Sequence, residues 1–157
     1  DRGAQARRSP VPSLRALAQS VANYHEAAFA EAELALAIVG DASGNFDPPL
    51  LKRALSNLLS NACRYASPAS TVEIHIRPLG QEKVRLTVRN FGADIAPQDL
   101  PRIFDRLYRS DAARSQPSAH HGLGLSIVAA VARMHQGHTV ASSTAGQTEI
   151  GLVLQKR

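Results

Sequence analysis

The chain has 157 residues, 44% hydrophobic and 20% charged, a composition that suits one folded domain and excludes disorder over most of its length. Its formal net charge of +5 is unevenly placed: residues 1–45 hold four basic and five acidic residues, residues 46–157 fourteen and eight. The later part therefore favours an anionic partner (nucleic acid, anionic lipid or a nucleotide phosphate), while the single Cys63 excludes an intramolecular disulfide framework and a four-cysteine zinc site and fits a reducing compartment.

In chain order, DRGAQARRSP has no apolar core after its arginines and is no signal peptide. The chain opens on Asp1 and not Met, so a longer parent is expected. Residues 1–13, rich in Arg, Ser and Pro, are expected to be a linker remnant, with residues 14–157 forming one domain. Leu14, Leu17, Val21 and Ala28 recur with helical spacing and predict a helix over 14–32. LALAIVG (34–40) reads as a buried strand and DASGN (41–45) as a turn. Asp47 can cap and Pro48 can occupy the first position of a helix over 48–66. TVEIHIR (71–77) and KVRLTVR (83–89) alternate with period two across PLGQE, which predicts an antiparallel hairpin with one buried and one polar face.

NFGADIAP (90–97) reads as a loop, 97–109 as one or two short helices, and 110–121 as a long polar loop of the kind that forms lids. GLGLSIVAAVARMHQ (122–136) starts with glycines and becomes a helix; 138–144 and 148–154 read as final strands. The order predicts an α/β fold: a two-layer sandwich, a mixed sheet of about five strands with helices on one face. No run of roughly 18 apolar residues occurs, so no membrane-spanning helix is expected.

Three segments can carry chemistry. On the helix at 48–66, Asn57, Asn61, Arg64 and Tyr65 share a face beside the leucine stripe. Two amide oxygens one turn apart suit Mg2+, a hard cation usually shared with phosphates, and Arg64 can hold a phosphate oxygen. Solvated or backbone-capping asparagines are the alternative. In the second, Asn90 ends a strand and Gly92 allows close approach of a ligand to backbone, or makes a plain turn. The third, Gly122-Leu123-Gly124-Leu125, offers glycine amides at a helix start, an anion site or a hinge. It lacks the Lys of a P-loop and the preceding strand of a dinucleotide fingerprint. Trp is absent and Tyr and Phe number three and four, so no stacking platform for single-stranded nucleic acid is evident.

Together these segments resemble the boxes of sensor histidine kinases. Asn57-Leu-Leu-Ser-Asn61-Ala-Cys-Arg64-Tyr65 resembles the N box, Asn90-Phe-Gly92-Ala-Asp94-Ile95 the G1 box, Phe104-Asp-Arg-Leu-Tyr-Arg109 the F box, and Gly122-Leu123-Gly124-Leu125 the G2 box. FDRLYR and the Asn that opens the G1 box are most similar to the heavy-metal-sensing kinases.

The resemblance implies the Bergerat ATP-binding fold and an autokinase that binds ATP and Mg2+ and donates the γ-phosphate to a histidine on a separate dimerisation domain. By position, Asn61 would ligate Mg2+ with Asn57 nearby, Arg64 would contact phosphate, and Tyr65 would lie against the adenine. Asn90, Gly92, Ile95 and Thr148 would form the base pocket. Phe104 and Arg109 would set the lid, and Gly122, Leu123, Gly124 and Leu125 would let it approach the triphosphate.

The implied partners are the dimerisation (phosphoacceptor) domain and a cognate response regulator, with no nucleic acid and no direct membrane contact. The fragment alone is expected to be a monomer, from the cytoplasmic part of an inner-membrane parent.

Three positions depart from the family pattern. Asn90 replaces an acceptor Asp, while Asp94 and His120 stand at frequent glycine positions. They support an alternative, a nucleotide-poor regulatory or docking module of the same fold. Hydrolysing relatives carry a Glu four residues before the metal-binding Asn; here Asn57 cannot take a proton, which favours transfer to an imidazole.

Overall fold

Residues 5–106 and 124–157 are described by this computed structural model, and among them lie seven strands and four α-helices. In chain order these are β1 (Ser9–Val11), α1 (Leu14–Tyr24), α2 (Glu26–Glu31), β2 (Ala35–Gly40), β3 (Gly44–Phe46), α3 (Pro48–Tyr65), β4 (Thr71–Leu79), β5 (Lys83–Phe91), α4 (Gly124–Met134), β6 (His138–Thr144) and β7 (Gln147–Gln155). A short 3-10 turn, Leu100–Arg102, follows β5. The loop expected at 110–121 and the end of the segment 97–109 lie outside the described residues.

The alternating segments pair as expected. Ile74 faces Val88 and Ile76 faces Leu86 across the antiparallel β4–β5 hairpin. The main sheet has the order β2-β4-β5-β7-β6, with β2 parallel to β4 and the other neighbours antiparallel. This is the mixed five-stranded sheet that the sequence predicts. Its inner face (Val72, Ile74, Ile76, Val84, Leu86, Val88, Ile150, Leu152, Leu154) is buried with the apolar sides of α1, α3 and α4.

Helix α3 is the centre of the helical layer. Leu50 N–H donates to the Asp47 side chain, and Pro48 starts the helix where no N–H partner is needed. Leu51, Ala54, Leu55, Leu58, Leu59 and Ala62 are buried along one side. Each such leucine contributes about 1.5–3 kcal/mol relative to exposure.

The opposite face of the sheet is polar. Arg89 lies 3.2 Å from Glu149 and 3.6 Å from Glu73, Arg85 lies 3.6 Å from Glu149, and Thr87 Oγ1 donates to Glu149 at 2.7 Å. Burial pushes the Glu149 carboxyl up, but the Thr87 and Arg89 hydrogen bonds and the charges of Arg85 and Arg89 outweigh it and hold the group below its usual value.

Three local features differ from expectation. The strand expected to be buried at 34–40 is β2, an edge strand none of whose residues is buried, because only β4 pairs with it. The helix expected over 14–32 breaks at His25, whose Nε2 lies 2.7 Å from Ser56 Oγ on α3, and the chain resumes as α2 with Phe29 buried. Residues 9–11, within the stretch expected to be linker, form β1. It pairs antiparallel with β3, which extends from the expected turn at 41–45. Only Val11 of β1 is buried, so composition gives no strand signal there.

Candidate functional site

Helix α3 buries its leucines and leaves Asn57, Asn61 and Arg64 half-buried at the edge of the core. Asn57 Nδ2 donates to Gly124 O at 3.2 Å, so the asparagine face of α3 and the first residue of α4 meet. The acceptor is a carbonyl, which identifies the donating atom as the amide nitrogen and leaves the amide oxygen, among the described residues, able to accept or ligate. A Cβ built on Gly124 would meet Asn57 at 3.9 Å, ordinary contact. Packing against the described residues therefore does not demand glycine there. Arg64 is in the last turn of α3, where a cation suits the helix dipole, and the adjacent Tyr65 is 38% exposed.

The sheet supplies a floor. Asn90 on β5 faces Thr148 on β7, which faces Ser143 on β6. This polar rung follows directly on the apolar rung Val88, Ile150 and Ala141, on the helix-facing side. Asn90 and Thr148 are both buried. The Thr148 hydroxyl lies 2.7 Å from Ser143 Oγ, which also accepts from Ile95 N–H at 2.8 Å. Ser143 thus ties the loop after β5 to the rung. Sequence reasoning missed it, because a serine in the polar run Ser142-Ser143-Thr144 carries no signal of its own.

Gly92 is required where it stands: a Cβ there would lie 2.5 Å from Tyr65 O. The strand end thus passes against the C-terminus of α3, and Ser67 N–H donates to Phe91 O at 2.7 Å. Asp94, at a frequent glycine position of the G1 pattern, accepts from Gly146 N–H at 2.8 Å, and Gly92 N–H donates to Gly146 O at 2.9 Å. The carboxylate pins the β6–β7 turn to the loop.

Ile95, Phe104 and Leu125 are half-buried against the edge of the core. Arg109, Gly122, Leu123 and His120 lie outside the described residues. The structure therefore gathers Asn57 with Gly124, Asn90 with Thr148, and Gly92 with Tyr65.

Among the described residues no group of three or more His, Cys, Asp and Glu side chains could hold a metal ion. The donors available are neutral amide oxygens. Such a set fits Mg2+, which takes few protein ligands, keeps waters and shares the phosphates of its nucleotide.

Residues 46–157 match the family described as histidine kinase-, DNA gyrase B-, and HSP90-like ATPase. Sensor histidine kinase CusS of Escherichia coli O157:H7 is 41% identical over 111 residues, 71% of this chain and 23% of that protein. Sensor protein CzcS of Cupriavidus metallidurans is 35% identical over 130 residues, 83% of this chain and 27% of that protein. The chain thus spans about a quarter of the length of these relatives. Among solved structures, mycobacterial sensor histidine kinase MprB superposes with a TM-score of 0.81 at 27% identity, covering 95% of this chain and 99% of that one. With the fold and these relatives in agreement, the chain belongs to the histidine kinase-, DNA gyrase B- and HSP90-like ATPase family, and within it is similar to sensor histidine kinases.

Proposed function

We propose that the chain is the catalytic domain of a sensor histidine kinase, which binds Mg2+ and ATP and presents the γ-phosphate to a histidine on a separate dimerisation domain. The Asn57–Gly124 hydrogen bond carries the reading, because it joins the amide-bearing face of α3 to the glycine start of α4. Asn61, with Asn57 beside it, would hold the cation, and Arg64 would hold a phosphate oxygen. The N-terminal amides of α4 suit the remaining phosphate charge. Tyr65, Asn90, Gly92, Ile95 and Thr148 would seat the base. When bound, Mg2+ neutralises charge on the transferring group. Asn57 cannot accept a proton, so no carboxylate base stands at that position to activate water. The domain orients the phosphate and leaves nucleophilic attack to an imidazole.

In the parent protein, the sensor would lie in the inner membrane, this domain in the cytoplasm, and a response regulator would take the phosphoryl group next.

A second reading, a nucleotide-poor regulatory module, is favoured by one observation: the buried residue at position 90 is a neutral amide, where the family pattern has a carboxylate. Titration of a fluorescent ATP analogue, with and without Mg2+, on the wild type and Asn61→Ala separates the two. Saturable binding that Mg2+ strengthens and Asn61→Ala weakens supports the kinase domain. No binding up to millimolar analogue by a folded chain supports the regulatory module.

A further inference from the structure

Helices α3 and α4 run antiparallel: Asn57 meets the start of α4, while Asp47, the N-cap of α3, meets its far end. There Asp47 N–H donates to His135 Nε2 at 3.1 Å, and the other ring nitrogen of His135 lies 3.0 Å from Val131 O. His135 is 0% exposed. With Nε2 accepting, the proton sits on Nδ1 and bonds the carbonyl one turn back in α4.

Three successive residues before β1 are bonded to this junction. Ala6 N–H donates to Met134 O, the last residue of α4, at 3.1 Å. Arg7 N–H donates to Asp47 Oδ2 at 2.8 Å. The Arg8 guanidinium reaches three elements: Nη1 donates to Asn45 O at 2.7 Å and Gln155 O at 2.9 Å, and Nη2 to Gln136 Oε1 at 2.6 Å. The acceptors lie on β3, at the end of β7 and just after α4. The planar fork of arginine serves divergent acceptors that an ammonium point charge cannot serve together.

We propose that Arg8 is a positioning residue of the nucleotide site: it latches the segment before β1 to the Asp47–His135 end of the α3–α4 pair, so that the placement of this segment sets the separation of Asn57 and Gly124 at the other end. The inference rests on the proposed function. Its physical basis is that a helix transmits a shift along its axis, and α4 is bonded at one end to the latch and at the other to Asn57. Because coupling between sites is reciprocal, nucleotide at the open end must also tighten the latch.

The test uses the 157-residue chain as wild type, Arg8→Ala and Arg8→Lys. The fluorescent ATP analogue is titrated with Mg2+, thermal melting is followed, and amide hydrogen exchange is read at Arg7 and Asp47 with and without analogue. Arg8→Ala is expected to weaken analogue binding by about five-fold or more, with Arg8→Lys recovering part of the loss. Analogue is expected to slow exchange at the Arg7 and Asp47 amides in the wild type but not in Arg8→Ala. Equal affinities with exchange at both amides unmoved by analogue overturn the proposal. So does a fall in melting temperature with unchanged affinity, which makes Arg8 merely structural. A wild type that binds no analogue overturns the proposed function and this inference with it, so the two failures are told apart.

Discussion

Where Asp47 meets His135, the junction of α3 and α4 is buried, one hydrogen bond crosses it, and further bonds tie His135 back to Val131 and Asp47 to Arg7; where Asn57 meets Gly124, one side-chain bond links half-buried residues. Both ends use an α3 residue against an end of α4. The first is built for permanence: Asp47 and His135 are buried and hydrogen-bonded, and the Phe46 ring lies beside the imidazole. The second, among the described residues, leaves amide oxygens without a hydrogen-bond partner and a glycine that their packing does not need. Under the proposed function, anchoring chemistry and binding chemistry are thus separated along one helix, and a site can stay open at low cost because its frame is closed elsewhere.

The contrast can be broken hardest at Phe46, which is 0% exposed with its ring 6.1 Å from that of His135. Phe46→Ala is expected to cost about 3–5 kcal/mol, read from the urea midpoint. Asp47→Ala removes the cap of α3 and the acceptor for Arg7 N–H, and is expected to cost about 1–2 kcal/mol, with Asp47→Asn recovering most of it.

Acid probes the same end through His135 and, away from it, the contact of His25 with Ser56. Burial lowers the pKa of His135 below its ordinary value of 6.5, and that of His25 moves the same way. The unfolded chain therefore binds protons that the folded chain refuses. Stability should be fully present above pH 6.5 and fall as pH drops from there towards the folded-state values. A urea midpoint that rises on going from neutral to mildly acid pH would contradict this.

The smallest expected effect on stability lies at the open end. Asn61→Ala should shift stability by less than about 0.5 kcal/mol, while Mg2+-dependent analogue binding falls by about ten-fold or more, the order seen when metal-site groups are lost. An Asn61→Ala that unfolds the chain would erase the distinction between the ends.

The sequence made the open end more legible than the closed one. Asn57, Asn61, Gly92 and Gly124 stand out because polar or glycine residues interrupt strong helix and strand patterns. The hairpin and α3 were equally readable, since alternation at Val72, Ile74, Ile76, Val84, Leu86 and Val88 and the Asp47-Pro48 start are local signals. His135, by contrast, reads as an ordinary polar residue at a helix end, and only the fold brings it to Asp47, 88 residues away in sequence. Arg7 and Arg8 sit in a stretch whose composition says linker. The break at His25 was hidden by the alanine-rich run around it, where propensity favours one continuous helix and the Ser56 contact prevails. The role of Ser143 depends on strand register, which single-strand patterns do not fix.

The order of strands has a consequence for synthesis. β7 follows every other strand in sequence yet lies inside the sheet, between β5 and β6. Until residues 147–155 have left the ribosome, β5 keeps an unpaired edge and β6 has no sheet to join. The sheet therefore closes only after the last strand emerges, and the nascent chain must keep the apolar rungs of β4 and β5 from pairing with neighbours in the meantime. A premature stop before residue 147 would leave not a shortened sheet but an open one.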